Sequence, residues 1–153
     1  MGVKPQTAKN AALSLLSRRE HSRQEIQEKL VRRFSAEAAA HAVAELTEAG
    51  LISDRRFTRA YLSQTENKFG REKLRQNLLA RGVSETDIDH ALSEIDEDEC
   101  RRAGAVLAAK FGDSPLTAEK SRARAGRFLH TRGFLMEDIE CAVERHNRRA
   151  AGE

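Results

Sequence analysis

Hydrophobic residues recur along most of this chain at the three- and four-residue spacing of an amphipathic helix. Ile26, Leu30 and Phe34 follow one another at i, i+4 and i+8, and such stretches alternate with short polar turns. The chain has no runs of the β-branched and aromatic residues that favour strands. The pattern therefore predicts an all-α protein.

One arrangement of helices occurs three times. Leu30, Leu78 and Leu129 occupy equivalent positions, and the dipeptides Arg81–Gly82 and Arg132–Gly133 follow the second and third of them at the same distance. Self-similarity at such a period indicates a stacked array of small helical units. We predict three tandem three-helix repeats that form an elongated, curved array, with bounds at residues 6–50, 53–95 and 97–147.

Capping residues predict where several helices begin and end. Ser22 followed by Glu25 has the spacing of a capping box, and Gly50 is a natural stop. The acidic run that begins at Asp96 predicts the start of the third repeat, because negative charge is favourable at a helix N-terminus. Residues 112–117 are the loosest stretch and the candidate hinge.

Composition allows only a thin hydrophobic core. Of the 153 residues, 39% are hydrophobic, 5% are aromatic and 33% are charged. The net charge of +3 is modest, but arginine and lysine are bunched in short runs. Bunched positive charge can bind phosphates even when the net charge is small. The alternative for any single pair of basic residues is a solvated helix face.

The densest basic cluster lies between residues 118 and 133. Lys120, Arg124 and Arg127 fall on one face of a helix, at spacings of four and three. Such a stripe would give salt-sensitive, sequence-independent affinity for phosphates. With the equivalent helix of the second repeat included, the candidate contacts with protein or DNA are Arg71, Lys73, Arg75, Arg81, Lys120, Arg122, Arg124, Arg127 and Arg132.

The sequence contains no recognisable catalytic constellation. A glycine-rich phosphate loop, a nucleophile elbow, a zinc knuckle and a metalloprotease helix are all missing. We therefore predict a binding protein and not an enzyme, with no cofactor and no metal. The phenylalanines fall mostly on apolar seams, so we interpret them as core and do not expect base stacking as the main mode of binding.

Cys100 and Cys141 match no metal or redox spacing, which favours reduced thiols in a cytoplasmic protein. No apolar run approaches the ~20 residues of a membrane span, and the N-terminus lacks the apolar region of a signal peptide. We expect a cytoplasmic protein with no membrane partner. A monomer is expected because no long exposed apolar stripe is left over.

Four segments, in order, resemble the RecX family. The first opens with Arg19-Glu20-His21-Ser22-Arg23, and the set comprises residues 19–30, 46–61, 70–83 and 128–134. The resemblance covers about residues 8 to 147, and its motifs are specific in combination. Two departures are Ser53–Asp54, where many members have two acids, and Phe34, which stands in a first turn that lacks glycine.

This resemblance implies three tandem three-helix repeats and a bacterial regulator of the RecA recombinase. Such a protein binds RecA, chiefly in the helical groove of the RecA–DNA filament. There it modulates, and usually inhibits, recombinase, ATPase and coprotease activities in DNA repair, DNA recombination and the SOS response. Binding to single- or double-stranded DNA is expected to be weak and non-specific.

Two other functions stay open from the residues alone. A stand-alone helical DNA-binding regulator would bind duplex DNA tightly and sequence-selectively without RecA. A structural adaptor for another helical protein would bind neither DNA nor RecA.

Overall fold

The computed structural model of the chain describes residues 6–95 and 97–152, and these residues form helices and turns with no strand. The prediction of an all-α fold is confirmed. Asp96, predicted to open the third repeat, lies outside the described residues. The helices in chain order are α1 (Ala8–Leu16), α2 (Arg23–Leu30), α3 (Ala36–Glu48), α4 (Asp54–Thr65), α5 (Arg71–Ala80), α6 (Glu85–Leu92), α7 (Glu99–Phe111), α8 (Glu119–Thr131) and α9 (Met136–Ala150).

The described residues fall into two compact units. The N-terminal unit comprises residues 6–61 and 78–88, and the C-terminal unit comprises residues 62–77, 89–95 and 97–152. The helices also occur in threes along the chain, and only α9 extends past a predicted repeat boundary, to Ala150. The division into three repeats and the curved array stay predictions.

The core of the N-terminal unit joins α1, α2 and α3. Large aliphatic residues such as Ile26 and Leu46 pack against alanines, among them Ala12 and Ala39, that let the helices approach closely. The predicted capping box begins α2: Ser22 Oγ accepts from Glu25 N at 3.1 Å, and Glu25 Oε1 accepts from Ser22 N at 3.0 Å. This confirms the predicted start of α2.

The turn between α2 and α3 differs from its two counterparts, as the missing glycine suggested. Gly82 and Gly133 close the later turns in the left-handed region, with φ of 83° and 91°. In the first turn Val31 keeps right-handed values, φ −68° and ψ −9°, and Phe34 N donates to Leu30 O at 2.9 Å. The first turn is therefore a short continuation of helical geometry.

In the C-terminal unit, α7 and α9 are packed neighbours, and Cys100 and Cys141 form a disulfide between them with Cα atoms 5.8 Å apart. The prediction of two reduced thiols is wrong. A sequence separation of 41 residues gives no sign that the two helices meet. Asp98 caps α7, and its carboxylate accepts from Arg101 N at 3.0 Å.

The predicted hinge at residues 112–117 contains no helix, but it is tied to α9. Leu116 is buried, and its N–H donates to Asn147 Oδ1 at 2.7 Å while Asn147 Nδ2 donates to Leu116 O at 2.9 Å. The Nε2 atom of His146 lies 2.7 Å from Ser114 O. These contacts hold the segment across the end of α9.

Candidate partner-binding surface

Two of the predicted contact residues, Arg81 and Arg132, lie in turns that contact the start of another helix. In the N-terminal unit, Ser22 Oγ donates to Arg81 O at 2.7 Å. In the C-terminal unit, Gly70 N donates to Arg132 O, also at 2.7 Å. Ser22 and Gly70 hold corresponding positions in the recurring sequence pattern, as do the two arginines. The two contacts are therefore copies of one joint.

The glycine after each of these arginines permits the close approach. A Cβ on Gly82 would overlap the side chain of Gln24, and a Cβ on Gly133 would overlap the backbone of Lys73. Lys73, another predicted contact residue, is thus packed at the second joint. The Arg-Gly motifs are explained by backbone packing as well as by turn geometry.

The side chains of the joint arginines also have partners inside the protein. The guanidinium of Arg81 lies 4.9 Å from the ring centroid of Tyr61, and its Nε is 3.8 Å from Glu25 Oε2. The guanidinium of Arg132 lies 5.5 Å from the centroid of Phe69 and 5.0 Å from that of Phe128. Both arginines are half-buried.

The predicted contacts on α5 are similarly engaged. Arg71 Nη1 donates to Leu92 O at 2.7 Å, and Arg71 Nε lies 3.4 Å from Glu99 Oε1. Arg75 forms an ion pair with Asp89. These side chains tie α5 to α6 and to the start of α7, so their first role is structural.

Sequence reasoning missed the most deeply buried cation, Arg102. This residue is 4% exposed and forms an ion pair with Glu99. Its Nε donates to Glu66 O at 3.1 Å, and its Nη2 donates to Phe69 O. The one sequence signal that separates Arg102 from its exposed neighbour Arg101 is its position four residues before Val106, on the apolar side of α7.

His21, in the first of the segments that suggested a family, is also structural. It is 2% exposed, and its Nδ1 lies 3.0 Å from Arg19 O. Desolvation by burial lowers the pKa of His21, the nearby charges of Arg19 and Lys29 lower it further, and the hydrogen bond to Arg19 O opposes the shift. The imidazole is therefore held neutral in the core.

The cations of α8 differ from those of α5. Lys120, Arg124 and Arg127 share one outward side of the helix, as predicted, and all three are exposed. Arg122 is also exposed but lies on another side, toward α9. Within residues 6–95 and 97–152, none of these four cations forms an ion pair. Their charges are therefore available to a partner.

A groove of about 850 Å³ runs between α8 and α9, beside these cations. Its apolar lining comprises Ala123, Gly126, Met136, Ile139 and Val143. Its polar lining comprises Thr117, Glu119, Arg122, Arg127, His130, Thr131 and Glu140. Leu135, in the turn between the helices, is 59% exposed, and Met136, the first residue of α9, is 63% exposed. Exposed apolar surface with a polar rim is typical of a protein-binding site.

On another side of α8, aromatic rings lie beneath cations. Phe111 and Phe128 pack edge to face with centroids 5.8 Å apart. The guanidinium of Arg124 lies 5.7 Å from the Phe111 centroid, and Lys110 Nζ lies 5.6 Å from the Phe128 centroid. Of the six phenylalanines only two are buried. Phe34, Phe111 and Phe128 are half-buried and pack against the cores of their units, so the interpretation of the phenylalanines as mostly core is confirmed. Each of the four half-buried rings also lies under an arginine or lysine.

Two further features concern the part of the chain that the structure describes. Its His, Cys, Asp and Glu side chains nowhere gather in a group of three that could ligate a metal. None of its helices combines the length and the apolar character that a membrane crossing requires. The expectation that no cofactor is used stays a prediction.

Comparison with known proteins gives one family. Residues 8–46 match the model described as "RecX, first three-helix domain", and residues 53–92 match "RecX, second three-helix domain". Regulatory protein RecX of Halorhodospira halophila is 34% identical over 144 residues, which are 93% of this chain and 89% of the relative. Regulatory protein RecX of Pseudomonas fluorescens SBW25 is 38% identical over 141 residues, which are 86% of each chain.

Solved structures of similar proteins show the same fold. The crystal structure of RecX from Lactobacillus salivarius has a TM-score of 0.71 and 20% identity, and the match covers 92% of this chain and 95% of that one. A second crystal structure, of regulatory protein RecX, has a TM-score of 0.74 and 23% identity, over 90% of this chain and 71% of the other.

Proposed function

The chain belongs to the RecX family, and from this premise we propose that it binds RecA and the RecA–DNA filament. Bound there, it modulates, and mostly lowers, strand exchange, ATP hydrolysis and repressor cleavage. The relatives are named regulatory proteins, which supports regulation and not catalysis as its role.

The observation that carries this proposal is the surface of α8. Four exposed cations on this helix have no ion-pair partner in the described part of the chain, and one side of them borders an apolar groove. A RecA–DNA filament offers acidic and apolar side chains as well as DNA phosphates. Unpaired charges beside apolar surface can bind both kinds of group.

We assign Lys120, Arg122, Arg124 and Arg127 to contacts with RecA or DNA. Of the other predicted contacts, Arg71, Arg75 and Arg81 have internal partners that a filament would have to displace. Lys73 and Arg132 lie at the second joint. We assign them to contacts at the edge of the interface with the partner.

The proposed mode of binding to the filament follows from the recurring arrangement of helices in the chain. A filament is periodic, and an array of similar repeats can follow its groove across more than one RecA protomer. We propose that a single copy of the chain suffices for binding to the filament and that direct binding to DNA is weak and non-specific.

A protein that binds RecA acts in the bacterial cytoplasm, and we propose that location for this chain. Disulfides are rare there.

The test replaces Arg122, Arg124 and Arg127 by alanine in the full chain. Affinity for the RecA filament and for free DNA is measured across a series of salt concentrations. We expect weaker binding and a flatter salt dependence, because fewer counterions are released on binding.

The matched control replaces Arg18, Arg32 and Arg33, which are also exposed and without an ion pair within the described residues. This control should bind as the unmodified protein does. Unchanged affinity and unchanged salt slope in the α8 variant, for both filament and free DNA, would contradict the proposal.

The second candidate is a stand-alone DNA-binding regulator. The same exposed cations favour it, because they suit phosphates without any RecA. Tight, sequence-selective binding to duplex DNA in the absence of RecA would distinguish this function from the first.

A further inference from the structure

We propose that one side of α8 is a binding site for single-stranded nucleic acid. The site, here called the aromatic edge, comprises Phe111 and Phe128 with the cations Lys110, Arg124 and Arg132. All five residues belong to the C-terminal unit. The inference deepens the function proposed above by naming the partner of this edge, and its test needs no RecA.

The three cations of the aromatic edge keep their charge uncompensated. In the described ranges, none of them forms an ion pair, and each lies over an aromatic ring. Lys110 Nζ lies 5.6 Å from the Phe128 centroid, and the Arg132 guanidinium lies 5.0 Å from the same point. Elsewhere in this unit, Arg71, Arg75 and Arg102 all pair with carboxylates. The edge is thus a local concentration of free positive charge.

The two phenylalanine rings supply a surface on which bases can stack. Phe111 and Phe128 are half-buried, so each is held by the core while part of its surface faces solvent. Nucleic-acid bases stack on aromatic rings and on the planes of arginine guanidinium groups. At this edge a base can stack on Arg124 or Arg132, or take the place of a cation above its ring.

Single-stranded nucleic acid is the ligand that uses both features. An acidic peptide would satisfy the cations but has no use for the rings. A duplex presents phosphates, but its bases are stacked on one another and are not available to the rings. A single strand carries phosphates for the cations and unstacked bases for the rings. Because no side chain at the edge ends in an amide or a carboxylate, little preference among bases is expected.

This proposal adds a stacking site to a chain for which base stacking was not expected as the main mode of binding. The sequence gives Phe111 and Phe128 the helical spacing of core residues. Only the packing of α7 against α8 shows that the two rings meet under three cations. Lys110, which completes the edge, was absent from the predicted contact residues.

The first test uses the lack of tryptophan in the chain. Phe128→Trp places a lone tryptophan at the edge, and oligothymidylate of about 15 nucleotides is titrated into the full-length protein. Stacking of a base predicts quenching of the tryptophan emission. Phe111→Trp provides a second reporter if the first variant does not fold.

The matched control for this reporter is Phe34→Trp. Phe34 is half-buried in the N-terminal unit, and the Arg33 guanidinium lies 5.5 Å from its centroid. Quenching at the edge without quenching at residue 34 supports the proposal. Equal quenching at both positions, or none at the edge, would overturn it.

The second test separates stacking from attraction to phosphate. An abasic oligomer of equal length and charge should bind about tenfold more weakly than oligothymidylate, because each stacked base contributes to affinity. Equal affinity for the two would reduce the edge to a phosphate site and overturn the proposal. Displacement of the oligonucleotide by polyglutamate at an equal concentration of charge would overturn it as well.

Two variants of the edge complete the test. Lys110→Ala with Arg124→Ala removes two exposed cations that the fold does not pair, and Phe111→Leu removes one ring but keeps its apolar character. Each should lower the affinity for oligothymidylate severalfold, with an unchanged helical spectrum. Full affinity in both would overturn the proposal. That result would leave the proposed binding to RecA untested and standing, because Lys120, Arg122 and Arg127 are unchanged in both variants.

Discussion

The basic residues of α5 and α8 are similar in type and in local density, yet their environments are opposite. Arg71 and Arg75 on α5 pair with carboxylates of the same unit. Lys120 and Arg127 on α8 are exposed, and neither forms an ion pair in the described part of the chain. A charge that is already neutralised inside the protein must lose its internal partner before it can serve an external one. The comparison therefore separates residues that support the fold from residues that are free to bind.

The largest expected effect is a loss of stability when the buried cation Arg102 is replaced. Arg102→Met should lower the free energy of unfolding by about 4 kcal/mol, because it removes a buried ion-pair partner of Glu99 and leaves carbonyl groups without donors. Urea denaturation measures the change. The control is Arg101→Met at the exposed neighbouring position, where a change within about 0.5 kcal/mol is expected. Equal losses in the two variants would refute the structural role of Arg102.

The next largest effect tests the repeated joint. Gly133→Ala should cost about 3 kcal/mol, since it adds both left-handed strain and an overlap with the Lys73 backbone. Gly50→Ala has the same sign of φ but meets no atom within 4 Å, so strain alone should cost about 1 kcal/mol. Thermal or urea unfolding compares the two. Similar losses would show that close packing at Gly133 contributes nothing.

A much smaller change in stability is expected when the exposed cations of α8 are replaced. Lys120→Ala, Arg124→Ala and Arg127→Ala together should change the free energy of unfolding by no more than about 1 kcal/mol, because these exposed side chains have no ion pair to lose and Arg124 loses only its contact with the Phe111 ring. The same triple variant should bind the RecA filament more weakly. A large loss of stability with unchanged binding would reverse the roles assigned to α5 and α8.

The smallest effect concerns pH. Burial lowers the pKa of His21 below its ordinary value of 6.5, so in acid the unfolded chain takes up the proton before the folded chain does. The contribution of His21 is therefore complete above about pH 6.5 and is lost as the pH falls toward the lowered pKa. His21→Asn, whose amide can still donate to Arg19 O, should flatten this part of the stability–pH curve. An unchanged curve would mean that His21 is not held neutral.

Helical periodicity and capping residues were sufficient to predict much of the fold. The Ser22–Glu25 capping box and the stop at Gly50 depend on residues close in sequence, and both are observed. The Cys100–Cys141 disulfide and the burial of Arg102 depend on contacts between distant segments. No local pattern encodes such contacts, so sequence reasoning missed them.

The same distinction applies to the candidate surface. The spacing of Lys120, Arg124 and Arg127 placed them correctly on one side of a helix. Local clustering grouped Arg71 and Arg75 with them, because a carboxylate supplied by another helix is invisible in the sequence. The aromatic edge was missed for a related reason, since half-buried and fully buried rings have the same helical spacing.

The most direct test of the proposed function is DNA-dependent ATP hydrolysis by RecA, with this protein titrated in below one copy per RecA protomer. We expect the rate to fall at ratios well below one, and we expect the Arg122, Arg124 and Arg127 alanine variant to need a higher concentration for the same fall. An undiminished rate, with RecA active and this protein folded, would contradict filament binding. An alanine variant as effective as the unmodified chain would contradict the role of α8.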